Sequence, residues 1–365
     1  MKWSFPIATI AGTVIRVHVS FLLLLAAVGL MFLFNGGPAE AVGALVFTTA
    51  LFTCVLLHEF GHIAAARIFG IRTPDVTLLP IGGVARLEKM PENPFHELIV
   101  ALAGPAVNVV IAGVLIVLVG PPDPADAAKL DFTSPLGLTQ RLMVINLWLV
   151  IFNLIPAFPM DGGRVLRALL AMFLPYARAT AAAAIIGQMI AGIGAVFALM
   201  WVHPMLFLIA LFIFFAARGE SEAVQTQEAL RDLTLADAMI TDFHTLPESG
   251  LLRDAADALI AGSQHDFPVL ADDGSLAGIL TRRSLIEGLA NHGPEHPVSG
   301  FLLRDVPKVF PGTPLRQAFE MLRDLPAEVL PVRDSREHAV IGLLSAENVG
   351  ELILLRNALA SWKAH

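Results

Sequence analysis

Cys54-Val-Leu-Leu-His58-Glu59-Phe60-Gly61-His62-Ile-Ala-Ala-Ala-Arg67 closes an apolar stretch, 41–68, that is long enough to cross a bilayer. Two histidines four apart on a helix share one face and can grip one zinc ion. A glutamate beside the first can serve as base toward a water that the metal acidifies. Ionisable side chains are costly in hydrocarbon, so three within five positions call for a function. One stretch thus points both to a membrane-embedded helical fold and to hydrolysis at a metal.

The composition around it agrees. Of 365 residues, 56% are hydrophobic and 15% charged, where a soluble protein carries about 25% charged. The halves differ. Residues 1–218 hold 12 Lys and Arg against 10 Asp and Glu, whereas residues 219–365 hold 12 against 22. The front reads as a membrane domain and the acidic back as a water-facing one. An acidic surface excludes nucleic acid as a partner. The single cysteine excludes an intramolecular disulfide, and no A-x-A cleavage pattern follows the first apolar run, so no signal peptide is expected.

About six apolar stretches stand out, near 17–35, 41–68, 96–120, 139–159, 180–201 and 203–217, the last being short. With the N-terminus inside, the inner segments hold Lys2, Arg16, Arg67, Arg72, Arg86, Lys89, Arg164, Arg167, Arg178 and Arg218, and the outer loops only Lys129 and Arg141. The excess of cytoplasmic cations places both the N-terminus and the C-terminal half in the cytoplasm of a cell-membrane protein. Between the second and third stretches, β-branched residues and Gly82-Gly83 predict a short hairpin over 73–86. Its edge could take an extended peptide as an added strand, or it is a plain surface loop.

Catalytic zinc takes three protein ligands and keeps one open position. The best third candidate is Asp161, in Asn153-Leu-Ile-Pro156-Ala-Phe-Pro159-Met-Asp161-Gly162-Gly163-Arg164 at the end of the fourth stretch. The prolines would break the helix and the glycines would let the backbone turn. Irregular backbone at membrane depth is tolerated where it is buried in protein or lines a cavity. His58 lies nine residues before Arg67, or about 14 Å into the span from its cytoplasmic edge. Cys54, one turn before His58, could approach the metal but reads better as a packing residue.

Three blocks carry a resemblance: His58-Glu-Phe-Gly-His62, Ala103-Gly-Pro-Ala-Val-Asn108 and Asn153 through Gly163. They resemble the site-2 protease family of intramembrane zinc metalloproteases. The resemblance implies that His58, His62 and Asp161 bind one Zn²⁺, that Glu59 is the general base, and that Asn153 supports the substrate or the oxyanion. Gly104, Pro105 and Asn108 would be structural or supporting. It implies a transmembrane protein as substrate, a membrane-tethered regulator released by cleavage. Periplasmic-type members carry an inserted PDZ domain that this chain has no room for, so regulation is expected from the cytoplasmic side. A second reading is a cation transporter or channel, which has no need of a base beside the first histidine. A third is a scaffold with a dead site.

The acidic half repeats with a period of roughly 65 residues. Leu233-Thr-Leu-Ala-Asp-Ala-Met239 opens one copy and Leu302-Leu-Arg-Asp-Val306 the next. Each continues with a proline-containing strand, a helix (252–261; 315–323) and a β run (266–270; 328–332). Each closes with Gly-Ile-Leu-Thr281 or Gly-Leu-Leu-Ser345 and another helix, over 276–289 and 340–355. This α/β pattern resembles a tandem pair of CBS domains, which implies an adenine nucleotide as possible ligand and a homodimer as possible assembly. The candidate ligand positions are Thr281 and Ser284 in one copy and Ser345 and Asn348 in the other. Ser284 and Asn348 stand where nucleotide binders have Asp, which weakens a ribose contact and leaves dimerisation or docking as the alternative role. The expected organisation is a polytopic helical membrane protease domain over 1–218 with a short β-hairpin, a linker over 219–232, CBS copies over 233–292 and 293–358, and a tail over 359–365.

Overall fold

The computed structural model describes residues 3–80, 82–86, 93–121, 134–334 and 339–363. Lys2, Lys89 and Lys129 lie outside the described residues. The chain divides into two units, Met1–Val224 and Gln225–His365.

Six helices of the structure are long and apolar enough to cross a membrane: α1 (Val19–Gly36), α2 (Pro38–Ile68), α3 (Pro94–Val119), α4 (Pro135–Asn153), α6 (Tyr176–Met200) and α7 (Pro204–Ala229). A shorter helix, α5 (Asp161–Ala171), follows α4. The unit inverts the pattern of a soluble core. Large apolar side chains such as Phe34, Val117 and Leu118 face outward, while α6 buries Ala179, Ala183, Ala184, Gly187 and Ala191. Small residues let helix backbones approach where lipid supplies no hydrophobic drive. At Gly187 a Cβ would come within 3.0 Å of the Ala157 Cα. The sixth helix is longer than its apolar run suggested. Past Ala217 it continues through 219–229, most of the linker expected over 219–232, with an Arg218–Glu222 pair along its surface.

The unit also holds a four-stranded sheet in the order β1-β2-β3-β4. The hairpin expected over 73–86 is present as β3 (Asp75–Leu79) and β4 (Gly82–Arg86), antiparallel. A second hairpin was not expected: β1 (Ser4–Ile10) and β2 (Thr13–His18) join through Ala11 and Gly12, both at positive φ. The residue pair therefore has the type I′ geometry that matches strand twist. β2 pairs in parallel with β3 and runs straight into α1, whose N-terminus is capped by the His18 ring accepting from the Ser20 N–H. Val17, Phe21, Phe52 and Leu78 form the core that fixes sheet to helices. Arg141, expected in an outer loop, is buried within α4. Arg167, counted among the inner cations, is completely buried in α5.

In the second unit the two copies repeat element by element. The first has β5 (Leu246–Pro247), α8 (Leu252–Ala261), β6 (Phe267–Leu270), β7 (Leu276–Leu280) and α9 (Arg282–His292). The second has a bridge at Val309, α10 (Leu315–Asp324), β8 (Val329–Arg333), β9 (Val340–Ser345) and α11 (Ala346–Lys363). The closing helices start later than expected, because Leu276–Leu280 and Val340–Ser345 pair as strands first. Thr281 and Ser345 are the punctuation. The Thr281 Oγ1 accepts from the Ser284 N–H and the Ser345 Oγ from the Asn348 N–H, each capping a helix.

Candidate metal centre

Periodicity puts His58 and His62 on one face of α2, and packing turns that face inward. His58, His62 and Asp161 are only 6%, 5% and 7% exposed. Asp161 does not sit at the broken end of the fourth span, as expected, but opens α5 after an irregular turn over 154–160. The role of the glycines differs too. Gly162 and Gly163 are helical, and they permit close approach rather than a sharp turn. A Cβ on Gly162 would lie 2.2 Å from the Ile155 carbonyl oxygen, and one on Gly163 would lie 2.6 Å from the Phe158 nitrogen. The first turn of α5 therefore nests on the loop that precedes it.

Three atoms converge. The Asp161 Oδ2 stands 3.2 Å from the Nε2 of both His58 and His62, and the two Nε2 atoms are 3.1 Å apart. Ligands at about 2.0–2.1 Å from a tetrahedral zinc lie roughly 3.3 Å from one another. The His62 Nδ1 meets the Val100 carbonyl at 2.7 Å, and since a carbonyl only accepts, Nδ1 carries the proton and Nε2 is a bare donor of its lone pair. The Asp161 Oδ2 is buried and forms a hydrogen bond with neither ring. A shared cation would satisfy these atoms. Among the described residues, His58, His62 and Asp161 form a group whose ligand atoms could hold a metal, and the buried Cys54 lies outside it.

The third helix shapes the centre. A Cβ at Gly104 would lie 2.2 Å from the His62 Nε2 and 2.7 Å from the His58 Nε2. Gly104 was expected to serve close helix packing; it also keeps open the space between the ligand atoms. Close packing falls to Gly61, where a Cβ would strike the Ala103 carbonyl at 2.6 Å. Pro105 lies inside α3, and Asn108 is completely buried with neither side-chain polar atom hydrogen-bonded. Glu59, next to His58, is half-buried under β4, where a Cβ on Gly83 would come within 2.7 Å of its Cγ. Asn153 ends α4, partly exposed, and forms no hydrogen bond with the three. The Val100 carbonyl had no signal in a single sequence, and Gly83 and Gly104, though noted for a hairpin and for packing, gave no sign of what they approach, because each acts through backbone.

Comparison with known proteins agrees. Residues 46–122 and 122–201 match Peptidase family M50, and residues 232–291 match the CBS domain. A zinc metalloprotease of Methanocaldococcus jannaschii is 33% identical over 281 residues, 77% of this chain and 78% of that one. The chain belongs to peptidase family M50. This M50 peptidase is also 30% identical over 385 residues to the zinc metalloprotease Rip3 of Mycobacterium tuberculosis, covering 97% of this chain and 93% of that one. Among solved structures it is similar to the site-2 protease of M. jannaschii, at 35% identity and a TM-score of 0.44, covering 60% of this chain and 95% of that one. The protein is a zinc metalloprotease of family M50 with a CBS domain, and the transport reading gives way to it.

In the second unit Thr281 lines a cavity of 570 Å³ with Asp266, Arg282 and Glu328. Ser345 and Asn348 line another, of 640 Å³, with His265 and Glu351. Ser284 lines neither; its hydroxyl is hydrogen-bonded to Thr281. Asn348 donates from Nδ2 to the Ala238 carbonyl.

Proposed function

We propose that this M50 peptidase hydrolyses a peptide bond in the transmembrane segment of a membrane-tethered regulatory protein. In this reading the N-terminus and the CBS pair lie in the cytoplasm. The observation that carries it is the triangle of His58, His62 and Asp161 with a carboxylate one residue from its first corner. These three residues would hold zinc, which when bound supplies Lewis acidity to the scissile carbonyl and to water. Glu59 takes one proton from the attacking water as its oxygen bonds the carbonyl carbon. It gives that proton to the amine nitrogen as the C–N bond breaks. Asn153 would donate from Nδ2 to the substrate carbonyl oxygen. Since β4 is a sheet edge lying against Glu59, it supports a substrate unwound from its helix and held as an added strand.

Metal content of the detergent-purified chain tests the centre. About one zinc per chain is expected, lost in His58→Ala and weakened in Asp161→Ala. Glu59→Gln should keep the zinc and lose cleavage of tethered candidate substrates. A folded wild type without tightly bound zinc would overturn the reading. For orientation, alkaline phosphatase fused after Pro121 should be active in a bacterial host, and fused after Lys363 inactive.

The CBS cavities, at 570 and 640 Å³, match the roughly 300–1,000 Å³ of small-molecule sites. They support an adenine nucleotide, with Thr281, Ser345 and Asn348 at the walls. Calorimetric titration with AMP and ATP tests this. A saturable heat weakened by Asn348→Ala is expected; no heat with either nucleotide assigns the pair to dimerisation or docking.

A further inference from the structure

The most heavily invested charge in the membrane unit lies outside the centre. Arg167, completely buried near the end of α5, donates from Nε to the Glu97 Oε1 at 2.7 Å and from Nη1 to the Glu220 Oε1 at 2.6 Å. Its guanidinium lies 5.0 Å from the centroids of both the Phe158 and Tyr176 rings. Each partner belongs to a different part of the fold. Glu97 is on α3, Glu220 on α7, Tyr176 opens α6, and Phe158 lies in the turn that delivers Asp161. Removing Arg167 would leave the buried Glu97 carboxylate without a counter-charge, so the guanidinium holds the group together.

The third helix shows what the group is aligned with. Glu97, Val100 and Gly104 are all buried in α3, spaced at i, i+3 and i+7, and so lie along one stripe. Glu97 grips Arg167, Val100 holds the His62 ring, and Gly104 keeps the ligand space open. From Glu97 to Gly104 is about 10 Å of helix, and from Asp161 to Arg167 about 9 Å. The helix that bears the third ligand is thus registered against α3 near both ends. At the end away from the metal it is also pinned to α7, the helix that leads the chain into the second unit.

We propose that Arg167 is a positioning residue: through Glu97 and Glu220 it fixes α5 to α3 and α7, so that the state of α7 sets where Asp161 stands against His58 and His62. Glu220 is the adjustable member. Its side chain is 35% exposed, while Arg167 and Glu97 are at 0% and 3%. Releasing Glu220 leaves a neutral Arg167–Glu97 pair and frees α5 from α7 alone. The inference rests on the zinc reading of the three ligands.

The test is Co²⁺ binding to the metal-free full chain in detergent, read by the visible d–d band that reports coordination geometry. Glu220→Gln should weaken Co²⁺ binding roughly tenfold, the lower end for partners of metal ligands, and alter the band. Glu220→Asp should fall between, and Glu222→Gln, on the exposed side of the same helix, should match wild type. Band and affinity in Glu220→Gln equal to those of Glu222→Gln would overturn the proposal while leaving the zinc reading intact. No Co²⁺ binding by folded wild type would overturn both. If Glu220→Gln does not fold, Glu220→Asp decides by the same readout. In the neutral background Glu97→Gln/Arg167→Gln, Glu220→Gln should add nothing; a further loss there would show that Glu220 acts independently of Arg167.

Discussion

At residue 104 a single hydrogen atom separates a site that could hold zinc from one that could not. A methyl group there would stand 2.2 Å from one imidazole Nε2 and 2.7 Å from the other. The His62 ring is tied to the Val100 carbonyl and both rings are buried, so a methyl group there would push into the ligand space. Gly104→Ala should therefore lose zinc by at least a hundredfold in affinity, with helical content unchanged by circular dichroism. Gly83→Ala separates the functions. Its methyl group meets the Glu59 Cγ at 2.7 Å, so zinc content should stay at wild-type level while cleavage falls about a hundredfold or more, the scale of a displaced acid–base group. The convergence of His58, His62 and Asp161 was legible because two histidines at i, i+4 and an aspartate after a proline-broken span carry their chemistry in side chains. The two glycines were not legible in the same sense. A glycine states only that something comes close, and what comes close is decided by elements far apart in the chain.

Among elements, hydropathy read the spans and left two features out. The β1–β2 hairpin was missed although Thr13, Ile15 and Val17 alternate inward along β2. The alternation is six residues long and merges into the apolar run of α1, so the membrane signal covers it. The turn also lacks the Asn-Gly that announces type I′, having Ala11 at φ +49° before Gly12. That placement strains a side chain, so Ala11→Gly should stabilise the chain by ~1 kcal/mol, read as a higher unfolding midpoint in detergent. Arg167 was counted among the inner cations without its burial or its partners being seen, because charge counting weighs position along the sequence and knows nothing of partners. Nesting of α5 on its preceding loop predicts the reverse of Ala11→Gly. In Gly162→Ala the methyl group meets the carbonyl oxygens of Ile155 and Leu154 at 2.2 and 2.4 Å. Such overpacking costs about 1–3 kcal/mol, and because Asp161 is the preceding residue, zinc affinity should fall together with the midpoint.

Across the whole molecule, two kinds of interior follow from two solvents. The membrane unit buries alanine, glycine and ionic or imidazole groups and turns Phe, Leu and Val outward, whereas the second unit buries Leu235, Leu315, Leu330, Val332 and Leu343 in an ordinary aliphatic core. Composition shift and the internal repeat made that division readable. What joins the two copies of the second unit was not readable. Asp266, 2% exposed, accepts from the Arg282 N–H of its own copy at 2.8 Å and from the Glu328 N–H of the next at 2.6 Å. Separate cores predict separate responses. In calorimetry of the full chain, adding zinc at about 100 times its Kd should raise only the membrane unit's transition, by ~2.7 kcal/mol of stability. Asp266→Ala removes the acceptor of two backbone donors and should lower only the other, by ~1–2 kcal/mol. A single transition moved by both would mean that the two units unfold as one, and that stability, unlike composition, does not divide near residue 224.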